Sequence, residues 1–514
     1  MSDTNRVGVA IARNSESVFP TAITTLNKMR ITGTPNLAFD PLTEVSAEIR
    51  DDRQVSDLIP IGAEAGGDVG FEFSYGVVDD ILESALLGTW DDTTSATPDA
   101  GAMGAGTIPF AATAGFITGQ IVRLIDPSVF PAGEGDTSGL YVVVTVTLNT
   151  NITVTPVLIN TYDASYTDAT AITAAFESDA STIVKVVGFA AATADIAYTA
   201  TGITSAAGIF DDFLRDGVAK DLAPGHFIRL IGSDVLVATT NDVFIEVTAV
   251  TAAGAGLTFD VPTNWQTDPG TGDDVLIFFG DVLINPATPV ALSSRQFAVE
   301  RSFNDHTPID RELFLEMGVN TMVQTLAPQA IAVGTVGFFG TTALAASQTD
   351  ILNLYTGGDP ARVDAPAFDV YNTSSNVARL ARGGNRVGAG GVNCVVNASV
   401  NINNNMRRQN AVGVFGACGI GLGEFSVTGD LETYFDDLSL YNDVLAGNET
   451  SLDITMRGND GRTLLTALPR IKFTGGAPQV PGKNADVLLP LAYQALLDAD
   501  LGYTLSYQRF TFAP

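Results

Sequence analysis

Histidine and cysteine are almost missing from the sequence, with two of each in 514 residues. His226 and His306 stand apart from each other and from Cys394 and Cys418, so no zinc-ligand spacing exists. Without a CxxC, a disulfide framework is excluded for the fold as a whole. Two buried free thiols are expected, with one bridge as the alternative. No GxSxG elbow is present for a serine nucleophile. The glycine-rich GACGIGLG at 416–423 lacks the strand–turn–helix context of a dinucleotide loop, and reads as a turning β connection. Apolar runs of about 18 residues are also missing, so no segment reads as a membrane span. MSDTNRVGVAIARNS at the N-terminus has neither the charged start nor the apolar run of a signal peptide, and synthesis and retention in the cytoplasm are expected.

Positive charge is scarce as well. Against 58 Asp and Glu there are 26 Lys and Arg, a net charge of −32. Such a balance opposes non-specific attraction to nucleic acid. Only 16% of residues are charged and 46% are hydrophobic, a mix suited to a protein that covers much of itself with copies of itself. The Asp pairs at 79–80, 211–212, 273–274 and 436–437 read as solvated helix starts and turns rather than catalytic acids. RGNDGRT at 457–463 is too short for an EF-hand. No cofactor, metal or catalytic residue is expected.

What is present is β pattern, and it occurs twice. RDDRQ at 50–54, GFEFSY at 70–75 and VVDDIL at 77–82 are echoed by NMRRQ at 405–409, SVTGDLETY at 426–434 and FDDLSL at 435–440. Glu424, Ser426, Thr428, Asp430 and Glu432 alternate with Phe425, Val427 and Leu431. Glu72 likewise alternates with Phe71 and Phe73, and Asp453 and Thr455 with Leu452, Ile454 and Met456. Each strand has one wet and one packed face, as antiparallel sheets do. Val78, Ile81, Leu82, Ala85 and Leu86 fit a short helix after the first unit, and Leu438, Tyr441 and Leu445 fit one after the second. DADLG at 498–502 reads as a hairpin turn.

Between residues 92 and 288 the composition shifts, and this stretch holds about half of the net charge. Two segments inside it are alike: GQIVRLI at 119–125 and GHFIRLI at 225–231, each followed by further strand patterns. We read 92–288 as an inserted, barrel-like β region of two modules, about 105–160 and 200–285. It divides a unit beginning at 1–91 from its continuation, and a second unit, in 289–514.

EIRDDRQVSDLIPIGAEAGGDVGFEFSYGVVDDILESALLGTW at 48–90 resembles the tail tube proteins of long-tailed bacteriophages. So do FAVERSFNDHTPIDRELFLEMGVNTMVQTLAPQAIAVGTVGFFG at 297–340 and the block from SVNINNNMRRQ through PRIKFTGG to YTLSYQRF. The resemblance implies a mainly β fold of two tube-type sandwich or barrel domains with short packing helices, and a structural rather than enzymatic role. It further implies stacked rings whose sheets join into one wall. Three tandem copies would make a pseudo-sixfold ring, and a true hexamer is the alternative. The expected partners are copies of the chain, tail terminator and tail tip proteins, and a tape measure protein. DNA then passes through the lumen without specific binding, in a virion tail assembled in the host cytoplasm. On this reading Glu72, Glu424, Asp430 and Glu432 face the lumen, while Phe71, Phe73, Phe425, Val427 and Leu431 pack the wall. Arg53, Arg407 and Arg408 pair with neighbouring subunits, and the insertion projects outward. The competing reading is a virion spike or adhesin-type β binding protein with the insertion as its active part.

Overall fold

The computed structural model describes residues 6–14, 23–52, 54–92, 95–104, 106–111, 116–125, 139–148, 150–157, 172, 177–178, 182–191, 196–205, 222–232, 242–251, 256–259, 265, 275–347, 355, 358–382, 385–386, 394–436, 438–459 and 461–510. The architecture is mainly β, with two short α-helices among the described residues, α1 (Asp79–Leu86) and α2 (Ser439–Ala446). No barrel closes within the chain among the described residues.

One pairing order occurs twice. Val7–Asn14 pairs with Gln296–Phe303, which pairs with the long strand Asp310–Leu326. The later part of that strand pairs with Val333–Gly340, which continues through Leu58–Glu72 to Ile31–Val45; its earlier part pairs with Thr342–Ser347. In the same order, Val377–Arg382 pairs with Glu449–Arg457, and that with Thr463–Gly476. Thr463–Gly476 leads to Leu488–Ala495, Ser426–Tyr434 and Val395–Asn403, while its earlier part pairs with Ser506–Phe510. Even the β-bulges correspond: the register slips between Val319 and Thr321 opposite Phe338 and Gly337, and between Phe473 and Gly475 opposite Tyr493 and Ala492. A bulge adds one unpaired residue and bends its strand, which lets both long strands serve two layers. The strands on either side of DADLG do not pair with each other, so this turn is not a hairpin; both strands pair with Thr463–Gly476.

Thr321–Leu326 also pairs with Ala398–Asn403 and so joins the two repeats. The result is a run of eight strands: Ile31–Val45, Leu58–Glu72, Val333–Gly340, Asp310–Leu326, Val395–Asn403, Ser426–Tyr434, Leu488–Ala495 and Thr463–Gly476. Its packed face, the second layer and both helices share one core that includes Phe71, Val427, Leu431 and Leu440. Each helix ends at a left-handed residue, Leu87 or Gly447, with the same paired backbone bonds back to the last turn. The two helices bury different faces. In α1, Ile81, Leu82, Ala85 and Leu86 are all buried, as the spacing predicts. In α2 the inward side chains are Leu440, Tyr441 and Val444, while Leu438 and Leu445 are exposed, contrary to the expected stripe.

The chain leaves this assembly after Trp90–Asp91 and rejoins it at Asp281–Ile284, which pairs with Ser506–Phe510. Between them lies a second sheet. Gln120–Ile125 leads through Leu140–Thr147 and Asn151–Pro156 to Thr107–Pro109. Phe227–Gly232 leads likewise through Asp242–Val250 and Gly256–Phe259 to Gly202–Ser205. Ile183–Ala191 and Val275–Phe279 pair with each other between the two halves. Gly119 and Gly225, at φ 93° and 84°, precede the two matching strands; a Cβ would meet the Phe189 ring at 2.6 Å and the Tyr503 hydroxyl at 2.2 Å. The next residue closes the turn in both: Gln120 Oε1 accepts from the Ile117 N–H at 3.0 Å, His226 Nδ1 from the Ala223 N–H at 3.2 Å.

This second sheet is clamped to the second repeat. Arg379 holds Asp453 in a bidentate pair at 2.7 and 3.2 Å and donates to the Phe244 carbonyl at 2.7 Å. Asp453 and Thr455, expected on a wet face, are therefore buried. Arg509 is the other clamp. Its guanidinium lies 4.5 Å from the Trp90 ring and donates to Asp281 and Asp92 at 2.8 Å each and to Asp79; Lys185 reaches Asp281 at 2.7 Å. Burial works against the Arg509 charge, but Asp79 and Asp281 outweigh it and hold the guanidinium above its ordinary range. Burial also lifts the Asp79 carboxyl, against the pull of Arg509. Removing the cation leaves buried carboxylates under-compensated, so Arg509→Ala is expected to lose about 3 kcal/mol in chemical denaturation at neutral pH. A carboxyl raised in the folded state binds protons there before it does in the unfolded chain, so stability is recovered as pH falls through the raised pKa. The deficit of Arg509→Ala relative to the parent should therefore shrink on acidification.

Candidate assembly surface

The outward face of the eight-strand run is polar, and its acids come from both repeats. Counting back by twos from Glu72 gives Gly70, Asp68, Gly66 and Glu64 on one strand, and Asp430 and Glu432 alternate with buried Val427 and Leu431 on another. Asp68 and Asp430 hold matching places, opposite Gly337 and Ala492. Glu72 lies opposite Val333, and Glu432 opposite Pro490. The strands of Glu72 and Asp430 are four steps apart in the run, roughly 19 Å at the usual strand spacing. The carboxylates are thus spread over a surface rather than gathered in a cleft. Asp430 and Glu424 are exposed; Glu72 and Glu432 are half-buried. Glu424 lies just before the strand, its carbonyl accepting from Asn405 Nδ2 at 2.8 Å.

Of the expected wall residues, Phe71, Phe73, Val427 and Leu431 are fully buried in the shared core, and Phe425 packs half-buried against it. Asp68, Glu64 and Asp40 escaped the sequence reading, although Asp68 and Glu64 continue the period-two series of Glu72. Glycines in EAGGDVG disguised the strand.

Arg408 is spent inside its own chain. It sits on a hairpin arm, Arg407–Asn410 paired with Ala417–Gly421, that the glycine-rich segment builds. The arm lies over the first repeat. Arg408 donates to the carbonyls of Ala65 at 2.8 Å and Gly340 at 3.2 Å, pairs with Glu64 at 3.2 Å, and stacks 4.0 Å from the Phe339 ring. Asp40 and Glu64 face each other directly across their strands. Like charges so placed repel, and Arg408 offsets that repulsion. Arg407 is exposed, and Arg53 lies outside the described residues. Cys394 and Cys418 are free thiols, but both are exposed rather than buried. Among the described residues no group of three or more His, Cys, Asp or Glu is placed to hold a metal.

The described residues form a layered β architecture with an extended acidic sheet face. The family described as phage tail tube protein matches residues 4–495, nearly the whole chain. The chain belongs to the phage tail tube protein family, and so is a structural component of the virion tail. No curated protein matches it significantly.

Because Arg408 acts within one chain, its loss should be visible without assembly. Arg408→Ala is expected to lower the stability of the isolated chain by about 2 kcal/mol, leaving the carbonyls of Ala65 and Gly340 without their donor. Equal denaturation midpoints for the two proteins would count against the joint described here.

Proposed function

We propose that three chains join edge to edge into a pseudo-sixfold ring, and that the rings stack into a tube through which DNA leaves the virion. The observation that carries this reading is the eight-strand run, whose open edges among the described residues are Ile31–Val45 on one side and, beyond the pairing with Glu449–Arg457, residues 473–476 on the other. Open edges invite pairing with another chain, and a closed ring removes them. Each chain then supplies two tube domains, the first divided by the insertion. A ring of six chains is the alternative stoichiometry.

Glu72, Glu424, Asp430 and Glu432, with Asp68 and Glu64, would line the lumen. A carboxylate-rich wall repels the phosphate backbone, and Arg408, the cation set among these acids, is already paired with Glu64, so DNA slides without sticking. The wall side chains Phe71, Phe73, Phe425, Val427 and Leu431 would hold that face rigid from behind. Arg53 and Arg407 are the cationic candidates for contacts with neighbouring subunits. The insertion would lie outside, because it packs on Leu465, Ala467 and Phe510 of the second layer, away from the acidic face. Tail terminator, tail tip and tape measure proteins are the partners this role requires, with assembly in the host cytoplasm. The spike or adhesin reading is disfavoured because such a protein has no use for an acidic face continuous across both repeats.

Electron microscopy of the purified protein, with rotational classification of end-on views, tests this reading. Stacked rings with threefold symmetry and a sixfold-like inner wall are expected. True sixfold symmetry would select the hexamer, and discrete unstacked particles at high concentration would favour the spike. A second expectation concerns the lumen: Asp430→Lys with Glu432→Lys should leave rings intact but make the tubes retain DNA at low salt, released as ionic strength rises. Tubes of this variant that bind no DNA would remove these residues from the lumen.

A further inference from the structure

The joint between the repeats has a counterpart on the same chain that the described residues leave exposed. Within the chain, the arm carrying Arg408 covers the carbonyls of Ala65 and Gly340, and Asn404 Nδ2 donates to the Ala85 carbonyl of α1 at 3.0 Å and to that of Val319 at 2.9 Å. The repeated register transfers each of these positions. Asp40 opposite Glu64 corresponds to Asn403 opposite Ser426, and further out Val45 opposite Leu58 corresponds to Arg408 opposite Ile420. On the receiving side, Ala65, Phe339 and Gly340 become Val427, Gln494 and Ala495. The seventh residue of each eight-residue helix is Ala85 in α1 and Leu445 in α2.

The chemistry at the two places differs in a consistent way. Gln494 Nε2 itself donates to the Val427 carbonyl at 2.9 Å and to that of Ala495 at 3.1 Å. The two acceptors that Arg408 serves in the first repeat are thus already served in the second, and no arginine is needed. At the arginine's place in the first arm stands Val45, 52% exposed, with Leu58, Ile59 and Ile61 exposed beside it. Ala85 is fully buried, whereas Leu445 is 67% exposed with Leu438 close by in sequence.

We propose that the apolar stem of the arm of one chain, the paired residues 42–45 and 58–61, docks on the second repeat of a second copy, over Gln494 and Leu445, in the register that the Arg408 arm uses on the first repeat of its own chain. The proposal rests on the ring reading and specifies its chain-to-chain contact. The occupant is a second copy because the chain already carries one worked example, the homologous arm seated on the homologous surface. The contact is head-to-tail, so it closes into a ring when the rotation allows. Its chemistry is apolar burial, whereas the internal joint is a charged and hydrogen-bonded one.

The test mixes two single variants, Val45→Cys and Gln494→Cys, each carrying Cys394→Ser and Cys418→Ser, and treats the assembled mixture with a short bis-maleimide. Crosslinked chains are expected from the mixture and not from either variant alone, and at undiminished yield in about 1 M salt, where charge contacts are screened within roughly 3 Å. Rings or tubes under the microscope without the mixed crosslink overturn the docking and leave the ring reading standing. If the parent protein forms no oligomer at all, both readings fail. Should the cysteine variants not assemble, Leu445→Glu decides. It should stay monomeric at a concentration where the parent and Val290→Glu, altered at a residue 97% exposed elsewhere, both assemble. Assembly of Leu445→Glu like the parent overturns the proposal.

Discussion

The pairing of Thr321–Leu326 with Ala398–Asn403 is the contact on which the rest of the structure depends. A strand edge left in water exposes a row of backbone donors and acceptors, and one joined to its neighbour extends the sheet. Here the fourth strand of the first repeat meets the first strand of the second, and two small sheets become one. That union brings Asp68, Asp430 and Glu432 onto a single face with Phe71, Val427 and Leu431 behind it. It also sets where the arms lie, since each arm prolongs the hairpin beside the joint. The bulges at Val319–Thr321 and Phe473–Gly475 make this possible, because each long strand must pair in the second layer before bending into the first.

The insertion is held by a different kind of contact. Arg509 and Lys185 meet Asp79, Asp92 and Asp281 where the chain leaves and re-enters the main assembly. Buried charges of this kind add little net stability over an apolar replacement, yet losing one partner is costly. They therefore act more as a registration device than as glue, and Phe227, Phe244 and Phe278, packed with Leu465 and Phe510, supply the apolar area. Acidic as the chain is, the cations at these joints are committed. Arg379, Arg408 and Arg509 each hold carboxylates of their own chain.

Much of this was legible in the sequence, and the failures share a cause. Period-two alternation in 426–434 separates Asp430 and Glu432 from Val427 and Leu431 because one face of that strand stays open enough to leave Thr428 and Asp430 exposed while the other enters the core. The same alternation in 449–457 misleads: Asp453 and Thr455 look wet until the insertion, distant in sequence, covers them. Leu438 and Leu445 look like the inner stripe of α2, yet packing on Thr463–Gly476 selects Leu440, Tyr441 and Val444. Short identities mislead in the same way. Arg53-Gln54 matches Arg408-Gln409 letter for letter, but counting along the paired strands sets Val45 at the place of Arg408. Backbone register is decided by bonds across the sheet, which a linear match does not see.

On the ring reading, the joint within the chain and the joint between chains differ in chemistry for a physical reason. Within one polypeptide the repeats are tethered, so the second arm meets its surface at a high effective concentration and a modest polar contact suffices. Arg408 with two carbonyls, one acid and one ring is such a contact: specific in geometry and worth little more than a few hydrogen bonds. A joint between separate chains has no tether and must overcome the entropy of association itself. Desolvating Val45, Leu58 and Leu445 can supply that, while Gln494 keeps the underlying carbonyls from being buried without a donor. On the ring reading, then, the tandem arrangement permits a division of labour that identical subunits in a sixfold ring cannot have, since there a single sequence must serve every joint.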